Sequence, residues 1–164
     1  MSSLLRTFEF LCISLWLGSD VFLSFVVAPG AFGVLSSRDQ AGALVGYSLT
    51  RMHLGGLILG ILFLLIRLAR TRAFASLGSP AALCVIVMIA LTAISQFTVS
   101  ARMAVLRMQM GSIQATEIES PLLAEFGRLH AISVALESGV LLAGIIAIFL
   151  MVKDLGAIHE AIPG

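Results

Sequence analysis

The residues able to do chemistry are few and placed on a repeating pattern. Trp16, Asp20 and Ser24 fall at i, i+4 and i+8, so in a helix they share one face. Thr92, Gln96, Ser100 and Met103 follow a similar spacing, and His130, Ser133 and Glu137 fall at i, i+3 and i+7. His53 opens a further apolar stretch. At 1.5 Å per residue, Asp20 lies roughly 14 Å below Pro29, Gln96 roughly 8 Å below Ala101 and Glu137 roughly 10 Å below His130. His53 and His130 then start their helices at matching height. Met52, Met103, Met108 and Met110 fall near the same level.

Three kinds of chemistry suit this set. The structural one makes the polar groups glue between helices, with Asp20 held by an arginine such as Arg102 and methionines filling gaps. A second makes His53 and His130 ligands: two histidines at one height suit a haem iron, and histidine with methionine suits Cu(I). A third makes Asp20 and Glu137 proton carriers with Gln96 orienting water, since carboxyl groups in a low dielectric can hold and hand on a proton. Ionisable groups inside a bilayer are costly and face a bundle interior or a wet cavity, so each of them is a site hypothesis.

The elements that must position them are membrane helices. Of 164 residues 59% are hydrophobic and 12% are charged, about half the charge of an average soluble domain. With a mean hydropathy of +1.08 the chain is solvated by lipid. A net charge of +1 leaves no electrostatic footprint for nucleic acid. Apolar runs predict four helices, over about 8–29, 40–68, 80–113 and 121–152, in a single transmembrane domain spanning residues 1–164. Gly78-Ser79-Pro80 is a turn signal ahead of the third helix, and Ser120-Pro121 supplies an N-cap followed by a proline at the first helical position of the fourth. The long links 30–51 and 102–128 extend the helices as two hairpins beyond one face of the bilayer. No nucleotide-binding glycine loop, His-Glu-x-x-His or nucleophile elbow occurs, and the expectation is a non-enzymatic protein. Cys12 and Cys84 sit in apolar runs as small packing residues.

Orientation rests on arginine. Arg6, Arg67, Arg70, Arg72 and Lys153 fall on the side of the termini and the short connection, against Arg38, Arg51, Arg102, Arg107 and Arg128 opposite. The short basic connection decides for termini in the cytoplasm, because the positive-inside bias is strongest at the membrane edge of short loops. Glu9 ahead of the first apolar run and Asp20 within it argue against a cleaved signal, so that run is kept as the first membrane helix.

Trp16-Leu17-Gly18 running through Phe22 and Phe25 to Ala28-Pro29, then Ala41-Gly42, Arg102, Arg107 and the segment Phe126-Gly127-Arg128-Leu129-His130-Ala131-Ile132-Ser133 resemble the transmembrane protein 205-like family. The resemblance covers about Leu11 to Phe149. It implies a small four-helix membrane protein without an assigned reaction. Family members tend to carry an amide where this chain has Glu137. A weaker, fold-level similarity runs to membrane proteins of the copper-resistance and haem-associated type.

The sequence therefore predicts an all-α, integral membrane four-helix bundle in the cell membrane, with helical hairpins on the non-cytoplasmic side and a polar site in the outer half. The site residues are His53 and His130 as cofactor ligands or interfacial anchors, and Asp20, Gln96, Arg102 and Glu137 as buried polar groups. Arg102 and Arg128 would neutralise the carboxylates. Partners are the lipid bilayer and, as alternatives, a second copy or a larger membrane complex to which the chain is an accessory subunit. The competing functions are haem or copper binding, and proton, ion or small-solute transport by an oligomer.

Overall fold

The computed structural model describes residues 2–160, and there the chain is an all-α bundle. Helix α1 runs Ser2–Phe22, passes through a π-helical turn at Leu23–Val27 and ends as α-helix at Ala28–Val34. Helix α2 is continuous from Arg38–Thr71. Helix α3 runs Pro80–Ile94, widens into a π-helical stretch at Ser95–Ser100 and finishes at Ala101–Met110. Helix α4 spans Pro121–Glu160. All four are long and apolar enough to cross a membrane. At 31 to 35 residues each, they reach roughly 46–53 Å, well beyond a hydrocarbon core of roughly 30 Å.

Local chemistry sets the ends. Ser37 caps α2 by accepting from the Gln40 amide, and Ser79 caps α3 by accepting from the Ala82 amide (both 3.4 Å), with Pro80 just inside. Arg72 adopts a left-handed conformation (φ 54°) to stop α2, and Gly111 does so (φ 68°) after α3. Three residues join α1 to α2. A short 3-10 helix, Phe74–Gly78, joins α2 to α3. The helices therefore run up, down, up, down, each packed on its two sequence neighbours, with α4 closing the ring on α1.

The helix boundaries are longer than the apolar runs alone predict. α1 and α2 both continue past the expected ends at Pro29 and Gln40 because a tight, capped turn forms between them, and that turn is stitched to the α3–α4 link. Asp39 does this: Oδ1 accepts the Ile113 and Gln114 amides (2.8 and 3.4 Å), and Oδ2 accepts the Ser112 hydroxyl (2.5 Å). Nearby, Arg107 donates to the Gly42 carbonyl (3.2 Å) and lies over the Phe126 ring.

The apolar core fills the half of the bundle nearer the 3-10 connection. Cys12, Ile13, Trp16, Leu17, Phe63, Val85, Met88, Val140 and Ala147 make it up. Trp16 lies on α2 where α2 has no side chain: a Cβ at Gly56 would overlap the indole at Nε1 and Cε2, and one at Gly60 would stand 2.7 Å from Cζ3. Gly144 opens the same kind of space for Leu17.

Because Trp16 is the single tryptophan, its fluorescence reports this layer. Gly56→Val is expected to expel the ring, shift emission to longer wavelength and cost about 1–3 kcal/mol by overpacking. Gly18→Ala, where a Cβ meets nothing, leaves the spectrum and the thermal midpoint in detergent unchanged.

Candidate functional site

One layer beyond Trp16, all four helices send polar side chains inward. His53 projects from α2 and is completely buried. Its Nε2 lies 2.6 Å from Oε1 of Glu137 on α4, and its Nδ1 lies 2.9 Å from Oε1 of Gln96 on α3. Helices α2 and α4 are diagonal partners whose backbones do not pack together, so the imidazole spans the bundle axis. Ser95, next to Gln96, donates its hydroxyl to the same Glu137 oxygen at 3.1 Å. Asp20 on α1 is completely buried, and its Oδ1 accepts from Ser24 at 3.4 Å.

Proton accounting constrains this network. Both oxygens facing His53 are acceptors as placed, which suits a ring carrying protons on both nitrogens. Turning over the Gln96 amide lets a neutral ring accept at Nδ1 and donate at Nε2. The 2.6 Å separation is that of a strong, charge-assisted bond, and a proton crosses it without any heavy atom moving far. Three buried atoms of this layer have no protein partner: Asp20 Oδ2, Thr92 Oγ1 and Glu137 Oε2. Glu137 keeps 12% of its side-chain surface exposed, Gln96 is half-buried and Ser24 is exposed, so the layer is not sealed from its surroundings.

The π-helical stretches explain how the layer is assembled. In a regular α-helix Ser95 and Gln96 point about 100° apart. Here they begin a widened turn, and both reach the diagonal pair, Gln96 at the His53 ring and Ser95 at the Glu137 carboxylate. Ser24, the donor to Asp20, lies in the corresponding wide turn of α1. The i, i+4 reading from Thr92 selects Gln96 and passes over Ser95, although Ser95 at i+3 shares that face.

Four of the expected site residues meet or adjoin here: Asp20, His53, Gln96 and Glu137. Two do not. His130 is exposed and stands two turns from Glu137, roughly 10 Å along α4. The matched height of the histidines fails because His53 lies fifteen residues into α2 but His130 only nine into α4, so that Glu137, sixteen residues into α4, arrives level with His53. A bis-histidine or histidine–methionine centre on this pair has no geometry to stand on. Among the described residues no three His, Cys, Asp or Glu side chains are grouped to hold a metal. Arg102 likewise departs from expectation. It is half exposed and bonds Glu125 at 2.9 Å, turned away from the carboxylates by the extra residue of the π-helical stretch before it. Arg128 is exposed as well. Among the described residues His53 is the only basic side chain in hydrogen-bonding or ion-pair contact with either Asp20 or Glu137.

A second polar cluster went unread in the sequence. Glu9, almost fully buried, takes a two-pronged bond from Arg70 (2.6 and 3.2 Å) and faces Arg67 at 3.6 Å. The available signal was Glu9 itself, a carboxylate at the edge of an apolar run with two arginines at the corresponding end of α2. Between Glu9 and Asp20 on α1, and at the same levels of α2, α3 and α4, there is no Asp, Glu, Lys, Arg or His.

The model of a family described as a domain of unknown function (DUF4149) matches residues 11–112. That stretch holds Asp20, His53, Ser95 and Gln96 and ends before α4, which supplies Glu137. No curated protein and no solved structure matches the chain.

Removing either end of the diagonal pair exposes its value. His53→Ala and Glu137→Ala are each expected to lower stability by about 2 kcal/mol, between the range for interhelical bonds in bilayers and that for a broken buried ion pair. The double variant should cost less than the sum. His130→Ala and Arg102→Ala should each cost no more than about 1 kcal/mol. Thermal unfolding in a single detergent, followed by circular dichroism, distinguishes these.

Proposed function

The chain belongs to the DUF4149 family, whose description carries no activity, and from the geometry of the polar layer we propose that it is a non-enzymatic integral membrane protein whose buried acid–base centre takes up and releases a proton. The observation that carries this reading is the His53 imidazole on the bundle axis, 2.6 Å from Glu137 and 2.9 Å from Gln96, with Asp20 buried nearby and no arginine reaching either acid. Two acids and one base in a water-poor layer cannot all be charged without a net charge in the membrane, so the number of protons is the natural variable of the site.

His53 is the relay in this account. A proton on Glu137 passes from Oε1 to Nε2, and Gln96 holds the ring at Nδ1. Ser95 steadies the Glu137 carboxylate by donating to the oxygen that faces the ring. The partly exposed Glu137 exchanges with the surroundings. The uncharged layer built on Trp16, Phe63 and Met88 stands between this centre and the cluster at Glu9. That favours a centre loaded and unloaded from one side over conduction through a single copy. The resemblance to the transmembrane protein 205-like group fits the same picture. So does a multi-pass placement in the cell membrane with the termini and the 3-10 connection cytoplasmic, on the strength of Arg67, Arg70 and Arg72 packed at that edge.

Infrared difference spectroscopy on protein in lipid nanodiscs, between mildly acidic and mildly alkaline buffers, tests the proposal. A buried carboxylic C=O band is expected to change with pH, to lose intensity in Glu137→Gln or Asp20→Asn, and to move together with imidazole bands that vanish in His53→Gln. A difference spectrum without any carboxyl band assignable to these two residues would refute a proton-binding centre.

A further inference from the structure

The cluster at the opposite end of the bundle has a feature that neither the fold nor the proton centre uses. The side chain of Arg67 is more than nine-tenths buried, yet its terminal nitrogens are poorly engaged. Nε donates to the Ser76 carbonyl at 3.2 Å, whereas Nη1 stands 3.6 Å from Glu9 Oε2, outside hydrogen-bond range. Glu9 cannot serve Arg67 better, because Arg70 occupies both of its oxygens. Arg67 and Arg70 both border a crevice of about 20 Å³, together with Arg6, Glu9 and Asp154 and apolar walls from Phe10 and Met151. Three arginines against two carboxylates leave the crevice with a surplus of one positive charge.

Its depth in the membrane is set by sequence. Glu9 precedes the apolar run of α1, Arg67 follows that of α2, and Asp154 follows that of α4. These positions mark the level where hydrocarbon gives way to phospholipid headgroups. Phe74, in the 3-10 connection beside Arg72, is 80% exposed at the same end, the position of an interfacial aromatic anchor. The crevice has room for about one water-sized group, so a single anionic oxygen enters while the rest of its group stays outside. Basic pockets between membrane helices at this level are the form that recognition of anionic headgroups takes.

We propose that the crevice bounded by Arg6, Arg67 and Arg70 binds a phosphate oxygen of an anionic phospholipid, with Arg67 donating the bond that Glu9 leaves unmade and Arg6 supplying charge from the rim. The lipid is an annular partner of the α1–α2–α4 end. It completes the coordination of a buried guanidinium that the protein alone satisfies only in part.

The test uses full-length protein in nanodiscs of phosphatidylcholine alone and of phosphatidylcholine with phosphatidylglycerol, and in detergent titrated with inorganic phosphate. Native mass spectrometry reads retained lipid, and circular dichroism reads the thermal midpoint and helicity. Phosphatidylglycerol is expected to be retained over phosphatidylcholine and to raise the midpoint. Arg6→Gln and Arg67→Lys should each weaken retention roughly tenfold, the value of one charge-assisted hydrogen bond. Arg6 is partly buried and makes no ion pair among the described residues, so Arg6→Gln keeps the test alive if Arg67→Lys does not fold. Equal retention of the two lipids, or unchanged phosphatidylglycerol retention in a folded Arg6→Gln, overturns the site. Stabilisation by inorganic phosphate equal to that by phosphatidylglycerol, with no lipid retained, overturns the lipid as the source of the anion.

Discussion

A histidine that spans the diagonal of a four-helix membrane bundle constrains everything around it. Helices α2 and α4 do not touch along their backbones, and among the described residues the one bond between them across the axis is that of His53 with Glu137. The ring needs polar neighbours on both edges, because a buried imidazole with an empty nitrogen is costly in a medium without water. Gln96 and Glu137 meet that need at Nδ1 and Nε2, and Ser95, at the start of the widened stretch of α3, donates to the Glu137 oxygen that faces the ring. The π-helical turn of α1 at the corresponding level sets Ser24 on Asp20. In α3 the widening falls at the polar layer, far from Pro80 at the helix start, whereas in α1 Pro29 follows the wide turn directly and, having no N–H and a ring that crowds the Phe25 carbonyl four residues earlier, favours the widening there.

The two other layers divide the labour. Toward the 3-10 connection, Trp16 seated on Gly56 and Gly60 and Leu17 seated on Gly144 bring the helices close, so that van der Waals packing holds the bundle where no hydrophobic effect operates between lipid-solvated helices. Beyond the bilayer on the hairpin side, Asp39 and Arg107 tie the two hairpins to each other with bonds to backbone and hydroxyl groups. The axis is thus fixed above and below, and the acid–base layer sits between rigid neighbours. Fixed neighbours hold His53 and Glu137 at bonding distance.

Much of this was legible in the sequence, for physical reasons that can be named. Length of apolar run is a direct statement about lipid, so four spans and an all-α bundle follow from composition. Asp20, Gln96 and Glu137 are expensive in a membrane, and expense predicts that they face inward. Absolute register was the weak link. His130 and Arg102 were placed by counting from presumed membrane entries. His53 lies fifteen residues into α2 and His130 only nine into α4, and a widened turn stands just ahead of Arg102, so both His130 and Arg102 fall outside the layer. Ser95 shares the Thr92 face at i+3 and was passed over for the i+4 residue. The Glu9–Arg70 pair was missed because each partner looks like an ordinary interfacial charge until α1 and α2 are set side by side. The matches with known proteins reach the family and no further, covering α1 to α3 and leaving the Glu137 side of the diagonal to this chain's own geometry.

The diagonal bond is tested most directly by nitrogen-15 solid-state NMR of histidine-labelled protein in bilayers. The account predicts a His53 imidazole with both nitrogens hydrogen-bonded, whose Nε2 resonance shifts in Glu137→Gln and whose Nδ1 resonance shifts in Gln96→Leu, while the His130 resonances stay at values of a water-exposed ring. A His53 signal indistinguishable from that of His130 and indifferent to Glu137→Gln would contradict it.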